Sequence, residues 1–391
     1  MKYSENDLTK KGKNEMKKNR KMLIWTICVI TIVLFAIFGV FKGRHEDDVI
    51  RIGILSFLTG NFAEMGVDLV DGAQLAVETL NKSGWMLENK KRAKLIVEDG
   101  KVEPKTTVTG FRKMLLSNPL CAIVAGDTPV PAAAPLINAE EVPTIATIVS
   151  TVGFLDEKRP WIYRNYVSIS SAAKYMCRYA RQELDAKGVS IIYMQSEYGV
   201  EGAHAFEKEF IGLGGKITGL ESYMPDTLDA RAVISKSLTQ QPQMVYILGY
   251  GTGYNTVVNQ VRESGFNGRI LTDEPISSPG SVSSIRDFSN IFFTSQRTPE
   301  TTDYVHFAEE YKAKYKKEPS LYATYGYDSV WILAQVITNT PITRMAIRER
   351  LLSGRAFSTL RGEIRFEANG DCVLPIVINK MNPDGTYTQV Q

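Results

Sequence analysis

The sequence predicts an α/β protein of two lobes, each built on a parallel sheet, with a membrane-spanning helix ahead of them. Three observations lead to this prediction. The chain has 391 residues, enough for two or three domains. Short apolar segments alternate with amphipathic helical segments over most of its length. Between Met22 and Phe41 there is no charged residue. The composition, 44% apolar and 23% charged, argues against a disordered chain and a multi-span channel.

The N-terminal region is predicted to hold a basic cytoplasmic tail, residues 1–21, and a transmembrane anchor, residues 22–41. As a helix the apolar run would span about 30 Å at ~1.5 Å per residue, the thickness of a hydrocarbon core. Lysine and arginine precede the run, so the positive-inside rule places everything after Phe41 outside the cytoplasm. A cleaved signal peptide is the alternative, but the end of the run offers no small-x-small cleavage site.

The first alternating set predicts a parallel sheet covered by helices. Its predicted strands are residues 50–57, 94–98, 121–125 and 144–147. Its predicted helices are one that carries Leu69 to Leu80 and ends at 81–84, then 105–116 and 132–139. Alternation of this kind implies parallel strands joined by helical crossovers. Because ligands of such sheets lie at the carboxyl ends of the strands, the loops 57–61, 126–131 and 147–152 should converge on one crevice.

A second alternating set predicts a second lobe of the same kind. Its helices are predicted at 170–188, 200–213, 230–238 and 255–265, and its strands at 190–194, 217–223, 244–248 and 269–272. The matching loops are 195–199, 250–254 and 272–278. Helices at 303–316, 323–338 and 342–352 follow, with strands at 363–366 and 375–380. Such returning elements indicate two lobes joined by several crossovers.

Charge and motif content argue against several classes of function. The net charge is +3, and the basic surplus falls in the N-terminal tail, so the body is not predicted to bind nucleic acid. The three histidines are not in metal-ligand spacing with cysteine or with each other, and four cysteines cannot form a disulfide scaffold. No nucleophile elbow or complete phosphate loop is present. We therefore expect no metal, no cofactor and no enzyme activity, with Cys121, Cys177 and Cys372 as buried thiols.

Short stretches in a fixed order carry a further signal. They are Ile52-Gly53-Ile54-Leu55, Leu58-Thr59-Gly60, Gly72-Ala73-Gln74-Leu75-Ala76, Ala134-Pro135-Leu136-Ile137, Tyr163-Arg164-Asn165, Glu197-Tyr198-Gly199, Gly249-Tyr250, Ala323-Thr324-Tyr325-Gly326-Tyr327-Asp328 and Gly362-Glu363-Ile364-Arg365-Phe366. This ordered set resembles the amino-acid-binding branch of the type I periplasmic binding proteins, the substrate receptors of ABC importers. The resemblance covers about residues 50–385.

The resemblance implies two Rossmann-like lobes with a three-crossover hinge that close on a ligand. Lobe I is then expected at 49–166 and 299–362, and lobe II at 167–298 and 363–391. The hinges are expected near Asn165, Arg297 and Gly362.

The resemblance also implies a set of ligand-binding residues. The family binds the α-carboxylate of its ligand with backbone N–H groups and hydroxyls, and the ammonium with a carboxylate and carbonyls, because a dehydrated zwitterion needs partners at both charges. Carried over by position, the hydroxyl loop is Ser150 and Thr151, and the ammonium-binding acid is Glu274. The complete candidate set is Asp127, Thr128, Ser150, Thr151, Tyr198, Tyr250 and Glu274.

The loop 126–131 departs from the family's pattern. It is shorter than usual and lacks the serine-rich run that normally meets the carboxylate. Asp127 would repel a ligand carboxylate unless it pointed away. If Glu274 does not bind the ammonium, Asp127 is the alternative. Asp127 or the pair Ser150 and Thr151 could instead cap helices, and the two tyrosines could be packing residues.

Together these features predict a membrane-anchored extracytoplasmic solute-binding protein, in the periplasm or at the cell surface. We expect it to close on a small polar ligand, an amino acid or a related metabolite, and to deliver it to the permease subunits of an ABC importer. The alternative is a ligand sensor that signals through a separate membrane partner, since the cytoplasmic tail is too short for an output domain.

Overall fold

The computed structural model describes residues 49–60, 62–85, 91–155, 161–296, 301–338, 340–372 and 374–391. Residues 51–85 and 93–391 form one compact unit. The expected tail and anchor, residues 1–21 and 22–41, lie outside the described residues. Among the helices of the described ranges, none is long and apolar enough to cross a membrane.

The first sheet has five strands in the order β2-β1-β3-β4-β5. Its strands are β1 (Val49–Ser56), β2 (Arg92–Asp99), β3 (Cys121–Ala125), β4 (Thr144–Thr147) and β5 (Ile162–Arg164). The pairs β1–β3, β3–β4 and β4–β5 are parallel. The intervening helices are α1 (Ala63–Ser83), α2 (Pro104–Leu115) and α3 (Pro129–Ala139). β3 and β4 are buried along their whole length, as expected for parallel strands covered on both faces.

The second sheet has seven strands in the order β14-β13-β10-β9-β8-β6-β7. Its strands are β6 (Gly188–Met194), β7 (Lys216–Tyr223), β8 (Met244–Leu248), β9 (Arg269–Asp273), β10 (Ile291–Gln296), β13 (Ile376–Met381) and β14 (Tyr387–Gln389). The strands β6 to β10 pair in parallel, whereas β13 pairs antiparallel with β10. The helices are α4 (Ile169–Gln182), α5 (Glu197–Gly212), α6 (Arg231–Leu238), α7 (Gly251–Glu263) and α8 (Pro279–Ser284).

The chain returns to the first lobe after β10. The returning elements are α9 (Thr302–Tyr315), α10 (Leu321–Thr338), α11 (Arg344–Leu351) and the hairpin β11 (Phe357–Thr359) and β12 (Gly362–Ile364). The hydroxyl of Tyr315 on α9 donates to the carbonyl of Asp71 on α1 at 2.9 Å. Helices α1 and α10 approach so closely that a Cβ on Gly72 would lie 1.9 Å from the carbonyl oxygen of Ala323.

The last return to the second sheet comes later than Gly362, where it was expected. The backbone N–H of Arg164 donates to Gly370 at 2.7 Å, and its guanidinium donates to Asp371 at 2.6 and 2.8 Å. The segment after β12 therefore lies beside β5 of the first lobe, and the chain rejoins the second sheet at β13. The expected hinge at Arg297 lies outside the described residues.

Arg361 ties the segments that connect the two lobes. It is buried and pairs with Asp328 on α10 at 2.7 Å. Its guanidinium also donates to Asn165, which follows β5, at 2.6 Å, and to Gln296 at the end of β10. The guanidinium lies 4.5 Å from the ring centre of Tyr325. Arg361 thus bonds to the first lobe through Asp328 and to two connecting segments through Asn165 and Gln296.

Several element boundaries differ from the sequence-based expectation. Helix α4 ends at Gln182, well before residue 188. Strands β5 and β10 were not predicted. The predicted strand 363–366 is the second strand of a small hairpin and does not complete a main sheet. Of the cysteines, Cys121 and Cys177 are buried, Cys372 is only partly buried, and all three are free thiols.

Candidate ligand-binding site

A cavity lies between the two lobes at the carboxyl ends of both sets of parallel strands, as such sheets predict. The space inside it, together with the open space at its mouth, is about 820 Å³. The first lobe contributes Phe57 after β1, Asp127 after β3 and Ser150 after β4. The second lobe contributes Tyr198 after β6 and Tyr250 after β8, Asp273 and Glu274 at the end of β9, and Thr294 and Gln296 on β10.

Asp127 is held by the neighbouring loop. Its Oδ1 accepts hydrogen bonds from the backbone N–H of Ser150 at 2.8 Å and of Thr151 at 3.0 Å. The hydroxyl of Ser150 lies 3.2 Å from both carboxylate oxygens. The loop is fixed from behind because Arg164 donates to the carbonyls of Ser150 and Thr151 at 3.2 and 3.0 Å. Burial raises the pKa of Asp127, while these donors pull it down.

Glu274 begins a 3₁₀ turn, Glu274–Ser277, directly after β9. The hydroxyl of Tyr325, on α10 of the first lobe, donates to Oε2 at 2.8 Å and lies 3.0 Å from Oε1. The hydroxyl of Tyr166 donates to Oε1 at 3.3 Å. Burial raises the pKa of Glu274 to about 7, against the effect of the Tyr325 hydrogen bond and of the nearby Arg361 charge. The carboxylate of one lobe is thus held by hydroxyls of the other lobe and of the connection.

Asp273 places a second carboxylate beside Glu274. It ends β9 and is 3% exposed. The hydroxyl of Tyr198 donates to its Oδ2, but Oδ1 is buried and has no hydrogen-bond partner. Burial, together with the Glu274 charge, raises the pKa of Asp273 to about 7, although the Tyr198 bond lowers it. Oδ1 is therefore an unsatisfied acceptor in a residue of the cavity wall. Buried polar atoms without a hydrogen-bond partner are rare in folded proteins.

Aromatic rings form much of the remaining wall. The ring of Tyr250 lies edge-to-face with Phe62 of the first lobe, their centres 5.5 Å apart. It meets Tyr198 in the same way, also at 5.5 Å. Tyr166 and Tyr322 line the cavity from the side of the first lobe. Edge-to-face packing fixes the positions of the rings in the wall.

The charges around the cavity are of one sign. Its described lining includes the carboxylates of Asp127, Asp273 and Glu274 and no lysine, arginine or histidine. The two buried arginines behind the wall have carboxylates of their own: Arg164 pairs with Asp371 and Arg361 with Asp328.

The structure brings six of the seven sequence-predicted residues into the cavity wall: Asp127, Thr128, Ser150, Tyr198, Tyr250 and Glu274. Thr151 lies behind the wall and donates its N–H to Asp127. Neither Asp127 nor the Ser150–Thr151 pair acts as a helix cap. Phe57 and Met65 also line the cavity.

Sequence reasoning missed several lining residues. Asp273 adjoins Glu274 at the end of a predicted strand, and that position could have identified it as a cavity residue. Tyr166, two residues past the end of β5, lacked such a signal because β5 itself was not predicted. Tyr322 reaches the site from α10, far along the chain, and Thr294 and Gln296 come from the unpredicted strand β10.

Two α/β lobes that enclose a cavity at their strand ends define the class of solute-binding proteins whose lobes close on a ligand. Within this class the chain belongs to the periplasmic binding protein family, whose sequence profile matches residues 49–386. Members of this family bind solutes and are not enzymes.

Known relatives agree with this assignment. The chain is 20% identical over 385 residues to the leucine-, isoleucine-, valine-, threonine- and alanine-binding protein of Pseudomonas aeruginosa, a match that covers 96% of this chain and 100% of that protein. A leucine-binding protein from Thermotoga maritima superposes with a TM-score of 0.78 at 22% identity, covering 88% of this chain and 98% of that one. The branched-chain amino acid transporter substrate-binding protein of Streptococcus pneumoniae, solved with isoleucine, gives 0.78 at 24% identity, covering 88% and 99%. At these identities the structural likeness shows the fold.

Proposed function

We propose that the protein is the extracytoplasmic solute receptor of an ABC importer, anchored in the membrane by residues 22–41. Its ligand is a small molecule with a cationic amino group, an amino acid or a related metabolite. The observation that carries this proposal is the inter-lobe cavity with carboxylates on both walls, the partly buried Asp127 on the first lobe and the buried Asp273 and Glu274 on the second.

Glu274 is the proposed partner of the ligand's ammonium. Its carboxylate is 7% exposed and is held by neutral hydroxyls, so its charge is not balanced by a direct ion pair among the described residues. A buried uncompensated charge is costly, and a ligand cation removes that cost when the lobes close. Tyr198 and Tyr250 then cover the ligand, while Thr128 and Ser150 offer hydroxyls.

The proposed delivery route follows from the family and from the N-terminal sequence. The relatives that match over nearly their full length include amino-acid-binding proteins and a transporter substrate-binding protein. An anchor at residues 22–41 keeps the receptor beside the membrane, where permease subunits of an importer are its expected partners.

A ligand screen tests the proposal directly. The protein is mixed with amino acids, their amides, amines and small carboxylates, and thermal unfolding is recorded for each. A ligand at 100 times its dissociation constant adds about 2.7 kcal/mol to the free energy of unfolding. We expect stabilisation by compounds that carry an amino group. Absence of a shift with every compound would contradict a receptor for small amines.

A further inference from the structure

The backbone donors at the end of β4 are already occupied by the protein itself. Two successive N–H groups, those of Ser150 and Thr151, converge on Oδ1 of Asp127. Two such donors, with a hydroxyl from Ser150 beside them, form an arrangement that binds a carboxylate. In this chain the carboxylate they hold is an internal one, at the wall of the ligand cavity.

We propose, on the basis of the function proposed above, that the ligand is an organic cation without a free carboxylate. Asp127 fills the position that a ligand carboxylate would take. The ligand class is therefore an amine, or an amino acid whose carboxyl group is converted to an amide.

The electrostatics of the cavity support this ligand class. The described lining holds three carboxylates and no basic side chain. Arg164 and Arg361, the buried guanidinium groups behind the wall, are each paired with another carboxylate, Asp371 and Asp328. The other polar groups at the wall are neutral hydroxyls and the Gln296 amide. A ligand carboxylate would thus be dehydrated beside like charges, which strongly disfavours it.

An orphaned acceptor supports the cationic part of the inference independently. Oδ1 of Asp273 is buried at the cavity wall without a hydrogen-bond partner. An ammonium group carries donors only, and it would satisfy this atom. The faces of Tyr198 and Tyr250 add cation–π attraction for the same charge, of a size that becomes significant when the cation is dehydrated.

Calorimetry with matched ligands tests the inference on the full-length protein in detergent. Each set contains an amino acid, its amide, the amine that lacks the carboxyl group, and the carboxylic acid that lacks the amine. Leucine, leucinamide, isopentylamine and 4-methylpentanoate form one set, and equivalent sets based on alanine and phenylalanine cover other side-chain sizes. We expect the amide and the amine to bind at least about tenfold more tightly than the amino acid, and the acid not to bind.

One variant of Asp127 and one control variant test whether Asp127 causes the preference for amines. In Asp127→Asn the side-chain oxygen still accepts the loop N–H groups but the charge is gone. We expect amine affinity to fall at least about tenfold and the preference over the amino acid to shrink. Asp99→Asn is the matched control, because Asp99 also accepts from backbone N–H groups, of Leu58 at 3.0 Å and Lys101 at 2.9 Å, yet does not line the cavity. Asp99→Asn should bind as the wild type does.

The outcomes separate the inference from the proposed function. If an amino acid binds more tightly than its amide and amine, the receptor function stands and the inference is wrong. If Asp127→Asn binds amines as tightly as the wild type, the role of Asp127 is wrong. If no compound of any set binds, the receptor function for small amines fails, and the inference fails with it.

Discussion

At the scale of single residues, Glu274 accepts hydrogen bonds from two tyrosine hydroxyls, those of Tyr166 and Tyr325, and has no salt bridge among the described residues. Glu274→Gln keeps an acceptor for Tyr325 but removes the charge. Losing one partner of a buried charge pair costs roughly 2–5 kcal/mol. We expect affinity for an amine ligand to fall by about 30-fold or more, measured by calorimetry.

Glu363→Gln is the control for this substitution, because the Glu363 side chain is 66% exposed and far from the cavity lining. Both variants should unfold at nearly the wild-type temperature without ligand. Binding of a primary amine within about twofold of wild type by Glu274→Gln would instead assign the cation to Asp127 or Asp273.

The raised pKa values of Asp273 and Glu274 predict a pH dependence. Both carboxyls have pKa values near 7 in the folded protein, against 3.8 and 4.5 as ordinary values. Between about pH 4.5 and 7 the folded state therefore binds more protons than the unfolded state. The free energy of unfolding of the ligand-free protein should fall as the pH rises through this window, as denaturant titrations at several pH values would show.

Ligand affinity should have the opposite trend. A cation needs ionised carboxylates, so binding should strengthen as the pH rises towards 7 and release protons at pH 6. The groups that interact with this pair are Arg361 and the hydroxyls of Thr272, Tyr166, Tyr198 and Tyr325. Calorimetry at pH 6 in buffers of different ionisation enthalpy measures the protons released. Uptake of protons on binding would contradict this account.

The candidate site could be predicted from the sequence only where its residues follow recognisable strands. Glu274 and Ser150 were expected because the family resemblance carries its ligand-binding positions over to the residues that follow two predicted strands. The partner of Asp127 could not be read from the sequence, since the contact joins residues 23 positions apart through the pairing of β3 and β4. Tyr325 contacts Glu274 across 51 residues, and because this contact joins the two lobes, no local sequence pattern predicts it.

At the scale of elements, the contact between α1 and α10 depends on glycines. A Cβ at Gly72 would lie 1.9 Å from the Ala323 oxygen, and one at Gly326 would lie 1.9 Å from the Leu69 oxygen. In Gly72→Ala the helices must move apart. We expect a loss of about 1–3 kcal/mol or more from the free energy of unfolding, as for other overpacked cores, measured by urea denaturation.

Gly212→Ala is the matched helical control. A Cβ at Gly212, the last residue of α5, would meet no atom within 4 Å. This substitution should change stability by no more than about 0.5 kcal/mol, or increase it slightly. Equal effects of the two substitutions would mean that the close helix contact does not limit stability.

Most elements of the two sheets were predictable because their strands are short buried apolar runs between helical patterns. Strands β3, β4 and β8 coincide with their predicted bounds. β5 has only three residues, too few to show a period. Only residues 291–293 of β10 are apolar and residues 294–296 are polar, so this strand shows neither a continuous apolar run nor a regular alternation. The end of α4 was misplaced since residues 183–187 carry no strong helix-stopping residue.

At the scale of the whole molecule, the predicted anchor separates two forms of the protein. The full-length chain should remain in the membrane fraction after a high-salt wash, because an apolar helix of this length is not held by surface charge. A fragment that begins at Asp48 should be soluble and monodisperse by gel filtration. Recovery of a mature protein whose N-terminus lies beyond Phe41 would show cleavage instead.

The hydrogen bonds of Arg361 also have a consequence for the rate of ligand release. Because its guanidinium bonds to Asp328, Asn165 and Gln296, the segments that connect the lobes share one pivot. With a shared pivot, we expect the lobes to open by a single rotation about it. The ring of Tyr325 joins that pivot to Glu274, with Arg361 on its face and the carboxylate on its hydroxyl. We therefore expect the ligand to stay bound for as long as the lobes stay closed. A permease that opens the lobes would then set the rate of ligand release.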